Sequence, residues 1–318
     1  MTAETLPLKV PAAARSKEPS SLYRDAIRHL LQKRSAVIGM LILLALALVA
    51  IFAPVIAPYN PEQQLIGIEQ GLKKRSPPCI HALGCSTEQP QHIFGVDANF
   101  RDFFSRVIYG ARVSLLVAFA VVFISGFIGI SLGAISGYFG GKTDFAIQKL
   151  VEVVWAFPPL LLGITIMAFL GQGLFNLILA LVVQRWIPYC RVVRGQALSL
   201  RTREFVVASR CLGARNAQII LRHILPNVIQ TSLVIGTFAM ASAIIAEASL
   251  SFLGVGVPPE IPTWGTMLAD ARIYISTAWW LPLFPGLCIF VTVLGINLLG
   301  DALRDLLDPR LKRAGSGL

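Results

Sequence analysis

Few residues in this 318-residue chain are of types that could do chemistry, and most of them stand alone. The run GYFGGKT, Gly137 to Thr143, comes close to a phosphate-cradling loop, which reads Gly-x-x-x-x-Gly-Lys followed by Ser or Thr. That loop needs a glycine at position 136, where Ser136 stands, and a preceding strand, where an apolar run stands. The segment reads as a glycine-rich turn between two apolar stretches, so no nucleotide site is expected in this chain. Four histidines (His29, His81, His92 and His223) are scattered with no HExxH or other ligand spacing, so no metal site is expected. None of the five cysteines forms a CxxC pair. Cys190, Cys211 and Cys288 lie in or beside apolar segments and read as packing residues. Cys79 and Cys85 share a polar loop, where a disulfide, free thiols and a metal contact all remain open.

The carboxylates are more informative. Glu247 lies in or near the end of a long apolar run. An ionised group at membrane depth costs about 3 kcal/mol on insertion scales unless it faces a cavity or a partner. Glu247 is therefore either part of a translocation path or a link to a neighbouring helix. Glu152 stands three residues after Lys149, which favours pairing on one helix face over a place in the path. Pro158 and Pro159 should kink the helix that carries them. Such a break marks a pathway in some transporters and a packing adjustment in others.

The elements holding these residues are apolar and long. The chain is 55% hydrophobic and 14% charged, too few charges to wet a soluble domain of this length. A bilayer core needs roughly 20 apolar helical residues to cross it. Six spans are expected, at about 36–57, 111–138, 145–170, 174–189, 228–255 and 280–299. The expected fold class is thus an all-α membrane protein with six transmembrane helices. Residues 1–20 read as a disordered tail and 21–34 as a short amphipathic helix, interfacial or plainly cytosolic, leading into the first span (21–58). A polar loop occupies 59–109, a helical core 110–303 and a charged tail 304–318. No cleavable signal peptide is expected, because the first thirty-odd residues are polar. Trp264, Trp279 and Trp280 fit an interfacial aromatic belt.

Six spans put both termini on one side, and the Lys/Arg bias says which. The segment before the first span has seven basic and three acidic residues, and Arg185 to Arg222 holds eight arginines and one acid, Glu204. The loop at 59–109 is balanced, with five of each. Both termini and the arginine-rich stretch are therefore expected in the cytoplasm, and the Cys79 loop outside, in a multi-pass plasma membrane protein. This distribution also explains the net charge of +11 without nucleic acid, for which no compact basic domain remains.

The arginine-rich stretch at 191–227 is too patterned for a simple turn. In TREFVVASRCLGARNAQIILRHILPN, from Thr202 on, Phe205, Ala208 and Leu212 share one helical face. Gly213 can take the left-handed conformation that ends a helix, and a second helical run is expected to end at Pro226. Helix, glycine turn and helix would lie at the membrane surface, with Ala208, Ser209, Gly213 and Ala214 small enough for a partner to approach closely.

This stretch resembles the EAA loop of ABC importer permeases, in which Glu-Ala-Ala is followed by Gly and then by Ile-x-Leu-Pro. Ala208, Ser209, Gly213, Leu225 and Pro226 keep that spacing. Val207 stands in place of the usual Glu, with Glu204 one turn away, and His223 stands in place of the Ile, as in the peptide-importer branch. The segments FGVD (94–97), SRVIYGARVSL (105–115), EVVWAFP (152–158), EASLSFLGVG (247–256), TWGTMLADAR (263–272) and LGDALRDLLDPRL (299–311) resemble dipeptide and oligopeptide permeases in order. The match spans roughly residues 20–318, with an insertion at about 64–91. The resemblance implies a type I importer permease fold, with five core helices and the first packed outside. It implies that Arg203, Glu204, Val207, Ala208, Ser209, Gly213, Ala214, His223 and Pro226 contact a cytoplasmic ATPase. It further implies a homologous second permease, two ATPase subunits that bind ATP and Mg, an external substrate-binding protein, and no catalytic residue or cofactor in this chain. The insertion would help dock the binding protein. The competing expectation is an ion-coupled secondary transporter or channel acting without ATPases, with Glu247 as its coupling residue.

Overall fold

The computed structural model describes residues 31–307 except positions 70, 87 and 88. The tail expected at 1–20, nearly all of the amphipathic helix at 21–34, and the residues after 307 lie outside the described residues. The elements are α1 (Arg34–Ile51), α2 (Ala53–Ile56), α3 (Phe103–Phe139), α4 (Gly141–Trp155), α5 (Pro159–Leu170), α6 (Leu174–Leu200), α7 (Glu204–Cys211), α8 (Asn216–Phe252), α9 (Trp264–Ala271) and α10 (Trp280–Leu307). Among the described residues there is no β-strand. Five helices are long and apolar enough to cross a membrane, and α4 with α5 makes a sixth, broken span bent by 85°. The break falls at Pro158 and Pro159, as their lost amide donors and fixed φ require.

In lipid, apolar surface gains little from meeting another helix, so close backbone approach must hold the bundle together. The closest approach joins α3 to α6. Gly129, Gly133 and Gly137 recur every fourth residue along α3, and α6 lies in the groove they leave. A Cβ at Gly133 would sit 2.6 Å from the Cys190 carbonyl oxygen, and one at Gly137 would sit 2.5 Å from that of Arg194. The peripheral helix α1 crosses α10 by the same device, at Gly39 against the Gly295 carbonyl. Around these crossings Val117, Val121, Leu181, Ile244, Leu250 and Ile296 fill the shared core of α3, α6, α8 and α10. Phe119, Phe123 and Phe127 point away from it.

Three details depart from the sequence-based expectations. The fourth span does not stop near Tyr189: α6 runs on to Leu200, so the arginine-rich stretch begins as helix. The second surface helix does not stop at Pro226. A π turn at Ile220–Ile224 widens the backbone, and the helix continues into α8 as one 37-residue rod. The wider turn accommodates both the missing amide and the proline ring. Trp264 is not an interfacial residue: it is fully buried, and its indole donates to the Val107 carbonyl at 3.1 Å. It opens α9, whose N-cap Thr263 exchanges hydrogen bonds with Thr266 and tucks that short helix into the bundle. Trp280 is largely buried as well, and of the three tryptophans only Trp279 is exposed.

Replacing Gly133 by Val should destabilise the α3–α6 crossing by about 1–3 kcal/mol or more, since backbone on both sides must move. Gly286→Val, where a Cβ meets nothing within 4 Å, should leave stability nearly unchanged. Thermal unfolding of both variants in detergent checks this.

Candidate coupling site and passage

The residues expected to couple lie together at one end of the bundle. α7 closes with a six-to-one and a five-to-two hydrogen bond, Ala214 N–H to the Ser209 carbonyl (3.1 Å) and Gly213 N–H to the Arg210 carbonyl (3.0 Å). Gly213 has φ +82°, which a side chain would strain. Val206 is the buried residue of α7, packed with Ile219, Ile224 and Val228 of α8 and with Val193 and Ala197 of α6. Ser209 Oγ lies 3.1 Å from His223 Nε2, and the Tyr138 hydroxyl donates to Asn216 Oδ1 at 2.8 Å. His223 thus braces α7 from the π turn. Arg203, Glu204, Val207, Ala208, Gly213 and Pro226 are exposed, while Ser209, Ala214 and His223 are half-buried. The outward face is apolar at Phe205, Val207 and Leu212, the last 88% exposed. A face of this kind on a rigidly braced helix is suited to burying itself in a partner.

The residues weighed for the path do not converge. Glu247 is 1% exposed, accepting from Ser251 Oγ at 3.0 Å and from Ser114 Oγ at 3.4 Å. It links α8 to α3 beside the start of α9, where Gly265 leaves room for it. Glu152 is exposed and pairs with Lys149 Nζ at 2.7 Å. Pro158 stands at the α4–α5 break, where Gln184 of α6 donates to the freed carbonyls of Val154 (3.3 Å) and Phe157 (2.6 Å). Asp144 anchors the other end of α4 by a two-point contact with Arg194, whose Nε and Nη2 donate to Oδ1 and Oδ2 at 2.5 and 2.6 Å. Sequence reasoning overlooked Gln184 and Arg194; their spacing on α6, ten residues apart, gave no signal of two separate helix ends to hold.

At the opposite end the loop at 59–102 is braced. Cys79 and Cys85 form a disulfide, and Cys79 pairs with His92 through two backbone hydrogen bonds of 2.8 and 3.0 Å. His92 is 1% exposed, with Nδ1 2.8 Å from Asp102 Oδ1 and Nε2 2.9 Å from Glu69 Oε2. Asp102 also caps α3 by accepting from Ser105 N–H. Two carboxylates, one on each ring nitrogen, can both be satisfied only if both nitrogens donate, which is the imidazolium. Burial opposes that charge, but the hydrogen bonds to Asp102 and Glu69 outweigh it and raise the His92 pKa above its usual 6.5. Burial and the Glu69 hydrogen bond likewise push the Tyr59 hydroxyl up to about 12.

A raised histidine pKa stabilises the loop fully below the free-histidine value and loses that contribution as pH rises through the raised value. Amides at 76–102 should therefore be better protected at about pH 6 than at about pH 9 once intrinsic exchange rates are removed. His92→Gln should abolish the difference and cost about 1–3 kcal/mol of local stability. Hydrogen exchange read by mass spectrometry checks both.

Comparison with known proteins agrees with this architecture. Residues 129–313 match the family model of the binding-protein-dependent transport system inner membrane component, and residues 21–78 match the N-terminal transmembrane domain of oligopeptide transport permease C. The chain is 37% identical over 298 residues to the oligopeptide transport system permease protein OppC of Bacillus subtilis, covering 94% of this chain and 93% of that one. It is 39% identical over 305 residues to the di/tripeptide transport system permease protein DppC of Pseudomonas aeruginosa, covering 95% and 98%. An inward-facing structure of the MetNI methionine ABC transporter superposes with a TM-score of 0.52 at 19% identity, over 64% of this chain and 97% of that one. At that identity the likeness is one of fold, the type I importer permease fold. These findings favour the importer over an ion-coupled transporter acting alone. The chain belongs to the binding-protein-dependent inner membrane components, the multi-pass permease subunits of ABC importers.

Proposed function

We propose that this permease carries peptides, forming half of a passage whose other half is a homologous second permease. The names of its relatives, oligopeptide and di/tripeptide permeases at 37% and 39% identity over nearly the whole chain, support that substrate class. Two cytoplasmic ATPase subunits bind and hydrolyse ATP with Mg and drive the cycle, and an external binding protein delivers the peptide. Both termini and α7 face the cytoplasm of the bacterial inner membrane, in keeping with the arginines at positions 191–222; the disulfide loop faces outward.

The observation that carries the coupling role is the braced apolar face of α7. Phe205, Val207 and Leu212 are exposed on a helix whose other side is locked to α6 and α8 through Val206 and His223. Burial of that face in an ATPase cleft turns closure of the ATPases into displacement of α8. Glu247, sealed between α8 and α3, acts as a structural link in this reading.

Co-purification from detergent tests it. The wild type, co-expressed with its transport partners, should retain the second permease and ATP-hydrolysing subunits. Leu212→Asp should keep the permease partner and lose about tenfold or more of the bound ATPase, since it puts a charge on the contact's apolar centre. Gly213→Pro should lose the ATPases too, because proline cannot adopt φ +82°. A wild-type chain that purifies without ATPases yet moves solute on an ion gradient overturns the reading.

A further inference from the structure

α5, α6 and α8 line an open cleft of about 260 Å³ on the side of the bundle where the α4–α5 break opens. Pro159, Leu160, Gln184, Arg185, Ser242 and Ser249 are among its lining residues. Arg185 is the only ionisable one there. It lies eleven residues into α6, about 16 Å along the helix from Leu174 and so near the middle of a bilayer core. Its Nη2 donates to the Ser242 carbonyl at 2.9 Å. No ion pair among the described residues includes it. A guanidinium has more donors than one carbonyl can use, arranged in a fork that fits a carboxylate. Among the described residues, Arg194 is paired with Asp144, Arg101 with Asp97, and Arg106 with Asp97 and two carbonyls; the half-buried Arg75 stacks on Tyr274, and Arg201 reaches the Gly137 carbonyl at 3.4 Å outside the spans. An ionisable side chain at membrane depth is retained where it meets a cavity, a partner or a cargo.

We propose that Arg185 binds the carboxylate of the cargo as it crosses this cleft, which for a peptide is its free C-terminus. This rests on the peptide reading above. The cleft walls suit such a cargo: Leu160 and Ile245 offer apolar contact without side-chain hydrogen-bond demands, and the Ser249 hydroxyl is satisfied by the Ile245 carbonyl. Gln184, the neighbouring polar group, is already committed to the Val154 and Phe157 carbonyls, so the positive charge of Arg185 is the feature that selects an anion.

The test uses the whole importer in proteoliposomes with ATP and the loaded binding protein. The probes are a mixture of short peptides with free carboxyl termini and the same mixture amidated, with uptake counted per peptide delivered. Arg185→Gln should lower uptake of the free-carboxylate set about tenfold or more, the effect of losing a charge-assisted contact, and leave the amidated set unchanged. Arg185→Lys should recover part of the loss. Subunit assembly and ATPase stimulation by the loaded binding protein should match wild type in both variants. Equal uptake by Arg185→Gln and wild type overturns the proposal, and so does an equal fall in both peptide sets, which marks a packing role. Failure of both variants to assemble with the second permease also overturns it, identifying Arg185 as an ion-pair partner between subunits. If wild type itself hydrolyses ATP but takes up neither set, the peptide reading fails first, and this role fails with it.

Discussion

Backbone contact between α3 and α6 is the constraint on which the other parts depend. Water cannot drive two apolar helices together inside lipid, so the fit itself must hold them. The glycines at 129, 133 and 137 let α6 approach until its carbonyls fill the space of absent side chains. With α6 seated, its polar residues reach fixed targets: Arg194 meets Asp144 at the start of α4, and Gln184 meets the carbonyls freed at the α4–α5 break. The first half of the broken span, α4, is therefore held from α6 at both its ends, and the break is stable at a depth where bare carbonyls would otherwise be costly.

The second consequence concerns α8. One 37-residue helix, about 55 Å long, runs from the α7 turn to the neighbourhood of α9. At one end His223 and the Val206 cluster join it to α7; at the other Glu247 joins it to Ser114 of α3. A rod fastened at both ends moves as a unit. In the proposed assembly a shift of α7 is thereby passed along α8 past the cleft, which Ser242, Ile245 and Ser249 of α8 help to line. The π turn keeps the rod unbroken where Pro226 would otherwise have interrupted it.

Most of this architecture was legible because membrane spans announce themselves by length and hydropathy, and because proline pairs and helix-ending glycines have local causes. The α7–Gly213 turn and the break at Pro158 follow from single residues. What depends on partners across the bundle was harder to read. Pro226 looked like a stop because the π turn that absorbs it has no pattern in one dimension. Arg185 was counted among cytoplasmic cations because the run of arginines after it shares its charge, and only the continuation of α6 to Leu200 sets it at depth. Trp264 resembled a belt residue until the capped α9 carried it inside. The glycine stripe of α3 was visible in spacing alone and went unused, although i, i+4 glycines in an apolar run are the sequence sign of close helix packing.

Val207 bears on how the proposed coupling face would work. A glutamate at that position would offer a charge to the partner; here Phe205, Val207 and Leu212 are each exposed and apolar, and the exposed Glu204 lies a turn away on the same helix. Charge contacts at a surface weaken as salt rises, whereas burial of apolar area does not. Displacing α8 requires that α7 stay seated under load, and a contact based on burial resists sliding only as far as its shape is fixed. The closing hydrogen bonds at Gly213 and the brace from His223 supply that fixed shape. An apolar residue at 207 is thus compatible with the proposed coupling provided the helix is rigid, which makes the small residues and the turn more demanding positions than 207 itself.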